Sequence, residues 1–317
     1  MVTRDADEGI KKLQNSNACN KTQCLEIIVL GTGAGTTYVY SKQPSSSFVV
    51  VKKGEPILLC DVGYGVTAAC LKLVGRVPPN LYVSHNHGDH TGELPVVLAV
   101  ESTRAATAGC QQPPHLYAHA DVLAEVRQHR LRELKSTGKP LEDFAVFHDV
   151  PAGEGTTAIA DSGLAIRPFR SRHSETCYGL VLYDGDMPVL GWTADSGFDE
   201  ALYEQLSVAP VLLVDARANG SEEHAGFGQL ERLGEWVWVA VPGRELLRRT
   251  EDKPCPPLLQ YKSTVHYASL PFMAGKVVYV TGYGRQDEEP KPEQVPPGMA
   301  VARPGMRIYL PPCAQRS

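Results

Sequence analysis

The hexapeptide His85-Asn86-His87-Gly88-Asp89-His90 puts three imidazoles and a carboxylate within six positions. Three of the chain's ten histidines lie in it. Imidazole together with carboxylate suits zinc or iron better than magnesium or calcium. The alternating His85 and His87 leave a strand end on the same side and can face one ion. Asp89 and His90 are offset by the turn and can face a second. The apolar run Leu81-Tyr82-Val83 just before the cluster reads as a buried strand that ends at the site.

The surrounding pattern supplies the scaffold. Leu25 to Leu30, Ser47 to Val51 and Ile57 to Cys60 read as strands, and Val66 to Val74 has helical spacing. Leu94 to Arg104 and Asp121 to Lys135 read as helices. Strands return at Leu164 to Phe169, Tyr178 to Tyr183, Pro188 to Trp192, Val211 to Val214 and Val277 to Thr281, with helix at Phe198 to Leu206. Two strand blocks separated by helices predict an α/β fold, with two sheets packed face to face and helices outside. Residues 1–24 are polar and lack an apolar core, so they read as a disordered leader and not a signal peptide. Residues 25–317 then form one domain. The stretch 221–262 reads as an insertion or lid, with helix at Leu230 to Val239 and Glu245 to Thr250 and a break at Pro254-Cys255-Pro256-Pro257.

Composition narrows the function classes. The net charge is −5, from 31 basic and 36 acidic side chains, without the basic excess of a nucleic-acid binder. The eight cysteines form no CxxC pair and read as buried free thiols. No segment has the length of a membrane span, and the cytosol is the expected location. Gly31-Thr32-Gly33-Ala34-Gly35 lacks the GxGxxG spacing and reads as a tight turn near the site. His115, His119, His129 and His148 have no ligand spacing and read as structural.

Further motifs follow the hexapeptide in order: Arg172-His173-Ser174-Glu175-Thr176-Cys177-Tyr178-Gly179 and Trp192-Thr193-Ala194-Asp195-Ser196-Gly197. With Gly31-Thr32-Gly33 and Leu59-Cys60-Asp61-Val62-Gly63, they resemble the metallo-β-lactamase superfamily. The His173 motif is most like the transfer-RNA 3′-end endonuclease (RNase Z) branch. The resemblance implies a four-layer αββα sandwich of two mixed β-sheets and a metal-dependent hydrolase. His85, His87 and His173 would hold a first metal, Asp89 and His90 a second, and Asp195 would bridge. Asp61 would orient a ligand. The implied chemistry is cleavage of a phosphodiester or another small, anionic ester by a metal-bound hydroxide.

One position departs from the family pattern. The strand Val277 to Thr281 should be followed by a ligating histidine, but Gly282 stands there. The expected cofactor is therefore Zn2+, one ion tight and a second weaker, with Mn2+ or Fe2+ as alternatives. His266 and His224 are candidates to complete the site or donate a proton. Only 22 positions separate His173 from Asp195, too few for the arm that grips transfer RNA in that branch. This argues against transfer RNA as a partner and for a small molecule. Two other readings stay open: a catalytically impaired relative that binds a ligand or partner, and a lactone or thioester hydrolase.

Overall fold

The computed structural model describes residues 25–35, 37–109, 112–153, 155–233, 237–240, 264–267, 270–273, 275–284, 289–291, 294–296 and 299–311. The expected leader, residues 1–24, lies outside them, as do Glu245 to Thr250 and the proline-rich break.

The first sheet is built from β1 (Leu25–Gly31), β2 (Ser47–Lys52), β3 (Glu55–Cys60), β4 (Asn80–Tyr82), β5 (His115–Ala118) and β6 (Val146–Asp149), closed by β16 (Arg307–Leu310) in the order 16-1-2-3-4-5-6. The second comprises β7 (Thr157–Ala158), β8 (Leu164–Arg170), β9 (Tyr178–Asp184), β10 (Met187–Trp192), β11 (Val211–Asp215), β14 (Val277–Thr281) and β15 (Met299–Val301), in the order 15-14-11-10-9-8-7. Each sheet joins an antiparallel half to a parallel half. In the first, β16 through β3 alternate in direction and β3 through β6 run parallel. In the second, β7 through β10 alternate and β10, β11, β14 and β15 run parallel.

Strands covered on both faces must be apolar on both faces, which is why their sequences run as continuous apolar strings. Leu25, Ile27 and Val29 point into the core between the sheets. Ile28 and Leu30 point the other way. The inner core centres on Trp192, which meets Phe48 edge-on at 5.1 Å and Tyr82 at 6.2 Å between ring centroids. Outside the first sheet lie α1 (Thr37–Ser41), α2 (Val66–Val74), α3 (Gly88–Thr91), α4 (Leu94–Thr107), α5 (Ala120–Glu125) and α6 (Arg132–Lys135). Val66, Cys70, Leu94, Leu98 and Val122 carry that layer's apolar contact. Outside the second lie α7 (Glu200–Leu206) and α8 (Phe227–Leu230), seated through Leu202, Tyr203, Leu206 and Phe227. Asp199 caps α7 by accepting from the amides of Ala201 and Leu202. The four layers are the expected αββα sandwich.

Two local expectations change. Asp121 to Lys135 is not one helix, because a π turn at Val126–Arg130 separates α5 from α6. The helix expected at Leu230 to Val239 stops early. After α8 comes a 3₁₀ turn at Glu231–Leu233, and Val237–Ala240 is a strand, β12, paired antiparallel with β13 (Thr264–Tyr267). The β-branched and aromatic run Val237-Trp238-Val239 prefers a pleated pairing once a partner strand exists. Among the described residues, no helix is long and apolar enough to cross a membrane.

Candidate metal centre

The hexapeptide begins three residues beyond β4 and enters α3, with His87 at the helix N-cap. Asp61, at the end of β3, anchors it from below. Its carboxylate accepts from the Ser84 amide at 2.8 Å, the Ser84 hydroxyl at 2.7 Å and His90 Nδ1 at 2.6 Å. Asp61 sits at φ +62, a conformation that Asp tolerates better than most residues. Gly63 permits the close approach, since a Cβ there would overlap the Asp89 carbonyl oxygen. From outside, Arg130 donates to the Asn86 carbonyl at 2.9 Å.

Each histidine has one nitrogen engaged at its back and the other facing a shared space. His85 sets Nδ1 against the Ser84 hydroxyl at 2.9 Å, and its Nε2 lies 3.0 Å from His87 Nδ1. His87 pairs Nε2 with Glu175 at 2.8 Å. His173, beyond β8, sets Nδ1 3.4 Å from the Glu223 carbonyl and Nε2 3.2 Å from His87 Nδ1. The second group meets at His90 Nε2, which is 3.3 Å from Asp195 Oδ2 and 3.6 Å from Asp89 Oδ2. Asp89 Oδ2 also accepts from the Gly35 amide at 2.5 Å, so the glycine turn does border the site. One ligand atom from each of His85, His87 and His173 falls within a mutual 4.8 Å, as does one from each of His85, His90 and Asp195.

Burial pulls the His90 imidazole down, but Asp195, Asp61 and Asp89 outweigh it and hold it well above the usual value. Burial raises Asp195, but His90, His85 and His224 outweigh it and hold the carboxyl well below the carboxylate range. His85 is pushed well down by burial and by His90, and His173 is lowered by burial. The imidazoles of His85 and His173, shifted toward the neutral form, and the ionised Asp195 carboxylate are donors that fit a divalent metal ion. An ion would take the place of the proton that His90 holds without one. Back-side partners that fix ring orientation are the usual companions of such ligands.

His224 lies beside this group, with Nδ1 2.7 Å from Asp215 Oδ2 and 3.9 Å from Asp195 Oδ2. Burial lowers His224, but the hydrogen bond to Asp215 and the charges of Asp215 and Asp195 together outweigh it and raise the imidazole. His266 is on β13 opposite Trp238, and its side chain lies outside the described residues. Ser84, Arg130, Glu175, the Glu223 carbonyl and Asp215 were not singled out from sequence. Asp215 carried a legible signal, because it ends an apolar strand just as Asp61 does.

Comparison with known proteins fits this geometry. The fold is that of metallo-β-lactamase fold proteins. YhfI from Bacillus subtilis superposes with a TM-score of 0.62 at 16% identity, over 90% of this chain and 100% of that one. The short form of human tRNase Z gives 0.59 at 17% identity, over 90% and 99%. A diphosphatase of the PhnP family gives 0.59 at 16%, over 92% and 100%. The family model described as Anti-Pycsar protein Apyc1 matches residues 25–238, and the chain belongs to that family. Among curated relatives, ribonuclease Z of Lactiplantibacillus plantarum is 25% identical over 52% of this chain, which spans only about half (50%) of that protein's length. Ribonuclease BN of Citrobacter koseri is 26% identical over 73% of this chain and 71% of its own.

Proposed function

We propose that this protein is a metal-dependent hydrolase that cleaves a phosphodiester or another small ester. The observation that carries the reading is the set of four histidines, each fixed from behind and converging in front. His85, His87 and His173 would hold one cation, Asp89 and His90 a second, with Asp195 shared; zinc suits this set, with Mn2+ or Fe2+ as alternatives. When bound, such ions activate water and neutralise charge on the departing group. The chain's own residues do the rest. Asp61 and Ser84 hold the imidazoles in register. His224 keeps a proton at Nδ1 against Asp215 and is the group placed to pass a proton to a leaving oxygen.

The 22 positions between His173 and Asp195 are spent on the β9–β10 hairpin, which turns directly from Asp184 to Met187. That supports a small substrate over a gripped transfer RNA. Relatives named as ribonucleases keep RNA in the assay panel. The test is elemental analysis of the purified protein with turnover of bis(p-nitrophenyl) phosphate, a thioester, a lactone and a transfer-RNA precursor. Bound metal and diester turnover that falls at least about 100-fold in His87→Ala is expected. Bound metal with no turnover of any substrate would refute the hydrolase reading.

A further inference from the structure

β11 and β14 run parallel with Asp215 opposite Thr281. Gly282, the next residue, therefore lies beside the carboxylate that ends β11. Gly282 adopts φ +71, and a Cβ built on it would overlap Asp215 Oδ1. A side chain at 282 and the observed Asp215 carboxylate thus exclude each other.

Asp215 is held by one oxygen only. Oδ2 takes His224 Nδ1 at 2.7 Å and the Ser196 amide at 3.2 Å. Oδ1 is buried and has no hydrogen-bond partner among the described residues. A buried carboxylate oxygen without a donor is costly unless a cation or a proton takes it up, and burial together with the Asp195 charge pushes Asp215 up to about 6. The Asp215 carboxyl group as a whole borders the metal centre. One ligand atom from each of Asp195, Asp215 and His224 falls within a mutual 4.8 Å, and Asp195 Oδ2 lies 3.3 Å from His90 Nε2.

Resting on the metal-centre reading above, we propose that Asp215 Oδ1 supplies the second cation with the ligand that the family pattern places at position 282, and that Gly282 is glycine to leave room for it. The second position then offers three carboxylates, from Asp89, Asp195 and Asp215, and one imidazole, from His90. The first offers three imidazoles and the shared carboxylate. Trading an imidazole for a carboxylate hardens the donor set, so the second position takes Mn2+ far more readily than the first does. Under this proposal Gly282 no longer argues for the impaired-relative reading.

The experiment is calorimetric titration of metal-free protein with Zn2+ and, separately, with Mn2+, whose bound fraction is also counted by electron paramagnetic resonance. The wild type should bind two ions. Asp215→Asn should weaken the second event at least about tenfold and leave the first within about threefold, and Asp215→Glu should retain more of the second event than Asp215→Asn. An unchanged second event in Asp215→Asn overturns this inference alone. A wild type that binds no ion overturns the metal centre as well. Should Asp215→Asn fail to fold, a crystal structure of the zinc-loaded wild type decides. An Asp215 oxygen about 2.0–2.2 Å from the ion supports the assignment; a water or a His224 nitrogen in its place overturns it.

Discussion

Glu175 is the carboxylate behind His87 Nε2, at 2.8 Å, on a side chain that remains partly exposed. Removing it should leave the metal-free fold intact while freeing the imidazole to rotate. Glu175→Ala is therefore expected to weaken binding at the three-histidine position about 10- to 100-fold, with an unchanged urea midpoint for the metal-free protein. Equal metal affinity in a calorimetric titration would show that the pair is incidental. Asp61 behaves differently because it is fully buried and satisfies three donors at once. Asp61→Ala strands those donors and places Ala at φ +62, so the metal-free protein should lose about 2–4 kcal/mol. Asp61→Asn keeps the backbone preference and part of the bonding and should lose less. Equal urea midpoints for Asp61→Ala and the wild type would contradict this account.

At the scale of elements, β5 and β6 bring His115 and His148 together, with Nδ1 and Nε2 2.8 Å apart and Tyr117 stacked 4.3 Å over His148. One imidazole donates and the other accepts, so the pair works with at least one ring neutral. Burial lowers both, and the neighbouring His115 adds to the lowering of His148. Their folded values lie below the unfolded value of about 6.5. Between the two the unfolded chain binds more protons, so stability is retained above about pH 6.5 and falls as the pH drops from there toward the folded values. The stability lost between pH 7.5 and 5.5, measured by urea denaturation, should shrink in the double variant His115→Gln/His148→Gln; an unchanged loss would contradict this. Sequence spacing gave no hint of the pair, because its members are 33 positions apart and meet only through parallel strand pairing. The same limit hid the juxtaposition of Asp215 with Gly282, which comes from the pairing of β11 with β14. The hexapeptide was legible because its ligands are local, and the strands because burial on both faces leaves uninterrupted apolar runs. Val237 to Ala240 misled because a short apolar run is ambiguous until its partner, β13, is known.

For the whole molecule, the candidate centre lies where strand ends of the two sheets meet. His85, His87, Asp89 and His90 come from the end of β4 in the first sheet. His173, Asp195 and Asp215 come from the ends of β8, β10 and β11 in the second. A cation held by both groups would tie one sheet to the other, and the unfolded chain does not present that donor set assembled. Binding should therefore stabilise the fold by mass action, by about 2.7 kcal/mol per ion at 100 times its dissociation constant. For a chain of this size that is a rise of several degrees in the melting temperature. The variants separate the metal contribution from packing. The His87 side chain is 42% exposed, so His87→Ala should melt like the wild type in EDTA and fail to gain the full increment when Zn2+ is added. His85 is fully buried, so His85→Ala opens a cavity and should melt lower even in EDTA. Calorimetric melts of the three proteins, with and without Zn2+, test both statements. A wild type whose melting temperature is the same in EDTA and in Zn2+ would mean that no ion bridges the sheets.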